Sequence, residues 1–148
     1  MSAPSTMVSQ QHLIDAAKAP ILAYNDKDWD ALRTHLLSSD FVYDEVATGR
    51  KAQGADVIPL WQGWAEAFPD SKATVDNALA TDNAVILEVT WRGTHKGQLQ
   101  TPGGPIDATE NRIEIRACFV VEMSGDRIKQ ERHYFDMGTI LQQLGITA

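Results

Sequence analysis

Between Gln10 and Tyr24 the apolar residues Leu13, Ala17, Ile21 and Tyr24 recur at three- to four-residue intervals, which places them on one face of an amphipathic helix. Pro20 interrupts the stretch and is expected to kink it or to start a new turn. DWDALRTHLL reads as a second helix, with Asp28 as its cap and Trp29, Leu32 and Leu36 turned inward. FVYDEVA is a short strand and TGRKAQG a loop. ADVIPLWQGWAEAF is a third helix with Val57, Leu60, Trp61, Trp64 and Phe68 on its apolar face, and Pro59 fits only in its first turn. From Pro69 onward the pattern changes from helical to strand-like: SKATVDNALA, AVILEVTWRGTHKGQL, ATENRIEIRACFVVEM and DRIKQERHYFD are separated by TDN, TPGGP and SGD. A short helix, MGTILQQLG, closes the pattern, with Asp136 as its N-cap. Helices followed by a meander of long strands predict an α+β domain whose helices cover one face of a curved antiparallel sheet.

Composition narrows this picture. A chain of 148 residues, 43% hydrophobic, suits a single core, so 10–148 is expected as one domain and the small polar residues 1–9 as a flexible tail. The net charge of −7 and the scatter of 13 basic residues argue against nucleic acid and against anionic membrane surfaces. No apolar run approaches the roughly 20 residues that span a bilayer, and MSAPSTMVSQQ lacks the pattern of a secretory leader, so a cytoplasmic protein is expected. One cysteine, Cys118, excludes an internal disulfide, and its strand reads as a place for a buried inert thiol.

The densest charge falls where a strand should be: Glu131, Arg132 and His133 stand just before the last helix. Alternation puts Glu131 and His133 on one face and Arg132 and Tyr134 on the other. His133, with an ordinary pKa of about 6.5, can accept and donate a proton near neutrality. The plain alternative is a histidine hydrogen-bonded within the sheet or at a dimer surface. Glu131 would fix the His133 tautomer or stabilise its cation if the two side chains touch, and otherwise is a solvated edge carboxylate. SGD permits loops of different length, and a slip of one residue exchanges which residues face Phe119. Trp61, Trp64, Phe68 and Trp91 form either an aromatic wall for a flat apolar ligand or ordinary core. His12 and His35 fall on helix surfaces. A metal set drawn from His95, Glu131 and His133 lacks any diagnostic spacing, so no metal is expected. No phosphate loop, dinucleotide fingerprint or Gly-x-Ser-x-Gly is present.

AFPDSKATV, ILEVTWRGTHKGQL and DRIKQERHYFDMGTILQQLG together resemble the SnoaL-like polyketide cyclases and predicted ester cyclases, over most of the chain from Leu13 to Gly145. The resemblance implies the cone-shaped fold of nuclear transport factor 2, in which a bent sheet and its helices enclose a deep apolar pocket. In the cyclases the closing strand reads like IVEHWDVLD and its aspartate after the tryptophan is the catalytic acid/base. Aligning Ile128 and Asp136 puts His133 at that position, with a change of chemistry. FVYDE, where cyclases carry a histidine-containing stretch, offers Tyr43 or Asp44 instead, and His95 matches the family's GTH segment. The implied ligand-binding set is Tyr43, Asp44, Trp61, Trp64, Phe68, Trp91, His95 and Phe119, with His133 and Glu131 catalytic. The implied function is cofactor-free acid/base chemistry on a small hydrophobic or polycyclic carbonyl compound. An intramolecular aldol closure leads, followed by isomerisation, dehydration or hydrolysis. The alternatives are a non-catalytic ligand-binding protein of the same fold, or a dimerisation module using Arg116, Arg132 and Tyr134 on the outer sheet face. The fold's habit of pairing through its sheets implies a homodimer.

Overall fold

The computed structural model describes residues 3–36 and 38–146. The side chains of 3–9, 35 and 36, and with them the settings expected for His35 and Leu36, lie outside the described residues. Helix α1 (Ala3–Asn25) begins earlier than the sequence implies. Residues 3–9, expected as a tail, are helical because Pro4 falls in the first turn, where proline is tolerated, and residues 5–9 contain no glycine or further proline. The helix also continues through Pro20, and Leu13, Ala17, Ile21 and Tyr24 are buried along its inner face. After it, α2 (Trp29–Ala31) runs into a π-helical turn (Leu32–Leu36), with Asp28 capping Ala31 N–H at 3.1 Å. The third helix, α3 (Val57–Ala67), follows a 3-10 turn and holds Pro59 in its first turn.

Strands β1 (Val42–Glu45), β2 (Arg50–Gln53), β3 (Lys72–Ala80), β4 (Ala84–Thr94), β7 (Arg112–Ser124) and β8 (Arg127–Tyr134) make one sheet in the order β2-β1-β8-β7-β4-β3. All neighbours are antiparallel except β1 and β8, which run parallel. Two expectations change here. TGRKAQG is partly strand, because β2 folds back on β1 with Tyr43 opposite Ala52. The long fourth strand stops at Thr94, and its last residues form a separate hairpin, β5 (Leu99–Thr101) with β6 (Gly104–Ile106). The break follows from packing against α3. Lys96 and Gly97 both donate their backbone N–H to Ala67 O, at 2.9 and 3.1 Å, and supply acceptor-seeking partners for the helix C-terminus. Gly97 comes so close that a Cβ there would lie 2.1 Å from Glu66 O.

Burial alternates along β7, where Ile113, Ile115, Ala117, Phe119, Val121 and Met123 face the core. The β7–β8 hairpin sets the site. Its turn is two residues long, Gly125–Asp126, with Gly125 at φ 61° and Ser124 opposite Arg127. Carried forward without interruption, that register would put Phe119 opposite Arg132. A bulge intervenes: Met123 pairs with Ile128 but Glu122 with Gln130, which leaves Lys129 as the extra residue. Ile128, Glu131 and His133 therefore all turn inward, while Arg132 pairs with Glu122 on the outer face and Tyr134 is exposed. Helix α4 (Met137–Gln143) is capped by Asp136, which accepts from Gly138 N–H at 3.0 Å and Thr139 Oγ1 at 2.8 Å. Gln143 ties this helix to β7 by bonding both backbone groups of Glu114, and Ile140 and Leu144 bury their side chains beneath it.

Candidate active site

A cavity opens between the inner sheet face and helices α1, α3 and α4. Its wall is largely apolar: Pro20, Ile21 and Tyr24 come from α1, Trp61 and Trp64 from α3, and Trp91, Phe119, Ile113 and Ile115 from the sheet, together with Phe68, Phe135 and Ile140, while Ser71 and Arg92 also border it. Of the sequence-derived candidates, Tyr43, Trp61, Trp64, Phe68, Trp91, Phe119, Glu131 and His133 all line this space. Two do not. Asp44 points to the opposite face of β1, because Tyr43 and Glu45 occupy the inward positions on either side of it, and its carboxylate lies 3.9 Å from Lys51 Nζ. His95 is fully buried beyond the cavity wall and packs against Phe68 with ring centroids 5.2 Å apart. Thr109 N–H donates to its Nδ1 at 3.1 Å, so the ring proton sits on Nε2, which has no partner. Burial lowers the His95 pKa.

Tyr24 Oη and Ser71 Oγ bond each other at 2.6 Å on one side of the cavity, and the polar atoms around His133 form a directed chain. Trp91 Nε1, which can only donate, bonds His133 Nε2 at 3.2 Å. The neutral ring therefore carries its proton on Nδ1 and donates it to Tyr43 Oη at 2.9 Å. Tyr43 in turn gives its hydroxyl proton to Glu45 Oε2 at 2.9 Å. Glu45 is fully buried and also accepts from Trp64 Nε1 at 2.9 Å, Thr48 Oγ1 at 2.5 Å and Arg50 Nε and Nη2 at 3.0 and 2.7 Å. The His133 ring stacks on Phe119 with centroids 3.9 Å apart and planes 12° from parallel. Burial depresses the His133 pKa to about 3 and, with the Glu45 and Glu131 carboxyls nearby, drives the Tyr43 hydroxyl well above its ordinary value.

Glu131 stands apart from this chain. It does not bond His133, as the sequence had suggested it would if the two side chains touched; Tyr43 and Trp91 already take both ring nitrogens. Both its carboxyl oxygens are buried without a hydrogen-bond partner, and desolvation raises its pKa to about 8. A carboxyl in this state is protonated at neutral pH and releases its proton within the range where enzymes work. Chemically, the wall offers mostly apolar contact and, in Glu131, a carboxyl with no hydrogen-bond partner. Glu45 and Arg50 escaped the sequence reading. The available signal was the two-residue offset from Tyr43, which puts Glu45 on the same strand face. Among the described residues, no three His, Cys, Asp or Glu side chains gather as a metal site would need, and no helix is long and apolar enough to cross a membrane.

The family model for SnoaL-like polyketide cyclases matches residues 14–144. Among solved structures, IdmH from Streptomyces antibioticus, a candidate polyketide cyclase, is 26% identical with a TM-score of 0.74, over 89% of this chain and 97% of its own. A protein of ketosteroid isomerase-like fold from Catenulispora acidiphila is 21% identical with a TM-score of 0.71, over 89% and 93%. An epoxide hydrolase from M. tuberculosis is 22% identical with a TM-score of 0.68, over 91% and 90%. The last two likenesses concern the fold, and the architecture described above is the cone-shaped one shared with nuclear transport factor 2 and ketosteroid isomerase. No match was found among proteins with curated descriptions.

Proposed function

Since the chain belongs to the SnoaL-like polyketide cyclase family, we propose that it is a cofactor-independent enzyme that moves a proton on a small hydrophobic carbonyl compound held in this cavity, with Glu131 as the acid/base. The observation that carries this reading is the unpartnered, fully buried Glu131 carboxyl facing a largely apolar space. His133, given the acid/base role in the sequence comparison, has its Nε2 lone pair engaged by a donor-only indole, which favours Glu131 for the moving proton. With a pKa of about 8, roughly a tenth of Glu131 is ionised at neutral pH, close to the balance that suits a group which must both take and return a proton.

For an aldol closure the Glu131 carboxylate takes a proton from the carbon alpha to a carbonyl. The resulting enolate carbon attacks a second carbonyl of the same molecule, forming the new C–C bond, and the alkoxide takes the proton back from Glu131. Substrate and product are isomers, so no co-reactant is required. The aromatic walls orient the flat substrate and exclude water. In the same proposal the protein pairs as a homodimer through its outer sheet face, where Tyr134 is exposed; sedimentation of a monomer at micromolar concentration overturns that part.

The test needs no natural substrate. Aromatic methyl ketones and 1,3-diketones are incubated with the protein in heavy water, and deuterium incorporation at the alpha carbon is followed by NMR. Exchange by the wild type and its loss in Glu131→Gln, with binding retained by tryptophan fluorescence, supports the enzyme. Binding without exchange in the wild type makes the protein a carrier and rejects the acid/base role.

A further inference from the structure

The carboxylate at the far end of the hydrogen-bonded chain has no part in the proton transfer above, yet the His133 Nδ1 bond leads through Tyr43 to it. We propose that Glu45 is a positioning residue that acts through Tyr43 to hold His133 as its Nδ1–H tautomer, leaving the unpartnered Glu131 carboxyl to meet a substrate. This deepens the functional reading and rests on it.

The argument is one of hydrogen-bond direction. Glu45 receives five donors, three from Thr48 and Arg50 on Oε1 and two from Tyr43 and Trp64 on Oε2. A carboxylate only accepts, so the Tyr43 hydroxyl must spend its single proton on Glu45 and present its oxygen to His133 as an acceptor. Nδ1 then has to bear the ring proton, and Nε2 is left as the acceptor that Trp91 requires. Replacing the carboxylate by an amide disturbs this order. The three donors of Thr48 and Arg50 hold the amide oxygen, so its NH2 turns toward Tyr43 and Trp64. Tyr43 then accepts from the amide and points its own proton at His133 Nδ1. The ring must move its proton to Nε2, where it meets the Trp91 N–H head-on. Nearby geometry suits such control: Tyr43 and Glu45 lie on parallel β1 opposite Glu131 and His133 of β8, and Phe119 stacking fixes the imidazole plane.

The measurement is the long-range proton–nitrogen NMR spectrum of 15N-histidine-labelled protein, which distinguishes the two tautomers, with His133 assigned from His133→Gln. The wild type is expected to show Nδ1–H, and Glu45→Gln a substantial Nε2–H population. Deuterium exchange into a bound ketone should fall about tenfold in Glu45→Gln, the scale of losing a hydrogen bond to a charged group, with ligand affinity changed far less. If Glu45→Gln does not fold, Trp91→Phe decides: without the indole donor His133 stays Nδ1–H if Glu45 governs it and becomes mixed if Trp91 alone did. A wild-type Nε2–H ring, an unaltered tautomer in Glu45→Gln, or a mixed ring in Trp91→Phe overturns the proposal. Because the tautomer is read without turnover, a protein lacking all exchange activity would reject the enzymatic reading and still answer this one.

Discussion

Glu131→Gln removes a carboxyl whose burial has a calculable pH signature. Glu131 is wholly buried, its oxygens have no partner, and its pKa rises from an ordinary 4.5 to about 8. Below pH 4.5 the group is protonated in folded and unfolded chains alike, so it has no effect on pH dependence. As pH rises from 4.5 to about 8 the unfolded chain has given up this proton while the folded one keeps it, so stability falls. At about 1.4 kcal/mol per pH unit the loss reaches about 3 kcal/mol by neutrality and about 5 kcal/mol above the folded pKa. Glutamine does not titrate, and its own burial cost is independent of pH. The stability advantage of Glu131→Gln over the wild type should therefore grow by about 5 kcal/mol between acidic and alkaline conditions. Urea denaturation of both proteins at several values from about pH 4 to about pH 9, with m-values compared to confirm the same two-state transition, measures this difference directly. Parallel stability profiles for the two proteins would mean that Glu131 titrates like a surface carboxylate, and the acid/base assignment would fall with it.

The opposite slope is expected at the acid end from His133, whose pKa is depressed from 6.5 to about 3. Its contribution is fully present above pH 6.5 and is lost as pH falls toward 3, by about 2 kcal/mol at pH 5, so His133→Gln should flatten that limb; an unchanged acid limb refutes the burial argument. Gly97→Ala sets a methyl group 2.1 Å from a backbone carbonyl and should cost at least about 3 kcal/mol in urea denaturation; a loss below about 1 kcal/mol would show that the loop and α3 separate easily. Asp136→Ala removes both cap bonds of α4 and should cost about 1 kcal/mol, and Asp136→Asn should recover most of it; equal stabilities of the two variants would deny the cap any role.

Much of the fold was legible because hydrophobic periodicity reports which face of an element is buried. Leu13, Ala17, Ile21 and Tyr24 are buried together, Asp28 and Asp136 cap their helices, and the aromatic residues of α3 reach the cavity. The errors arise where pairing, alternation or packing in the folded chain overrides the local pattern. β2 is strand because Arg50 and its neighbours meet β1, not because RKAQ has a strand-like pattern. The fourth strand ends at Thr94 because Gly97 is needed against α3. Asp44 and His95 were plausible by residue type and family position, but alternation turns one outward and packing on Phe68 holds the other beyond the wall.

The amino-acid sequence by itself determined the α+β layout, the family and the presence of Glu131 and His133 on a common strand face, because strand alternation and segment-level resemblance depend only on order along the chain. Tertiary structure decided what that face looks at. The two-residue turn alone would place Arg132 opposite Phe119, and only the bulge at Lys129 brings His133 there and turns Glu131 inward. It also decided which carboxylate is satisfied. Glu45 and Glu131 are the same residue type, both fully buried. One meets five donors, four of them from Tyr43, Thr48 and Arg50 within five residues along the chain and one from Trp64 of α3, while the other meets none; only the folding of β2 back on β1 and the packing of α3 aim those donors at one carboxylate.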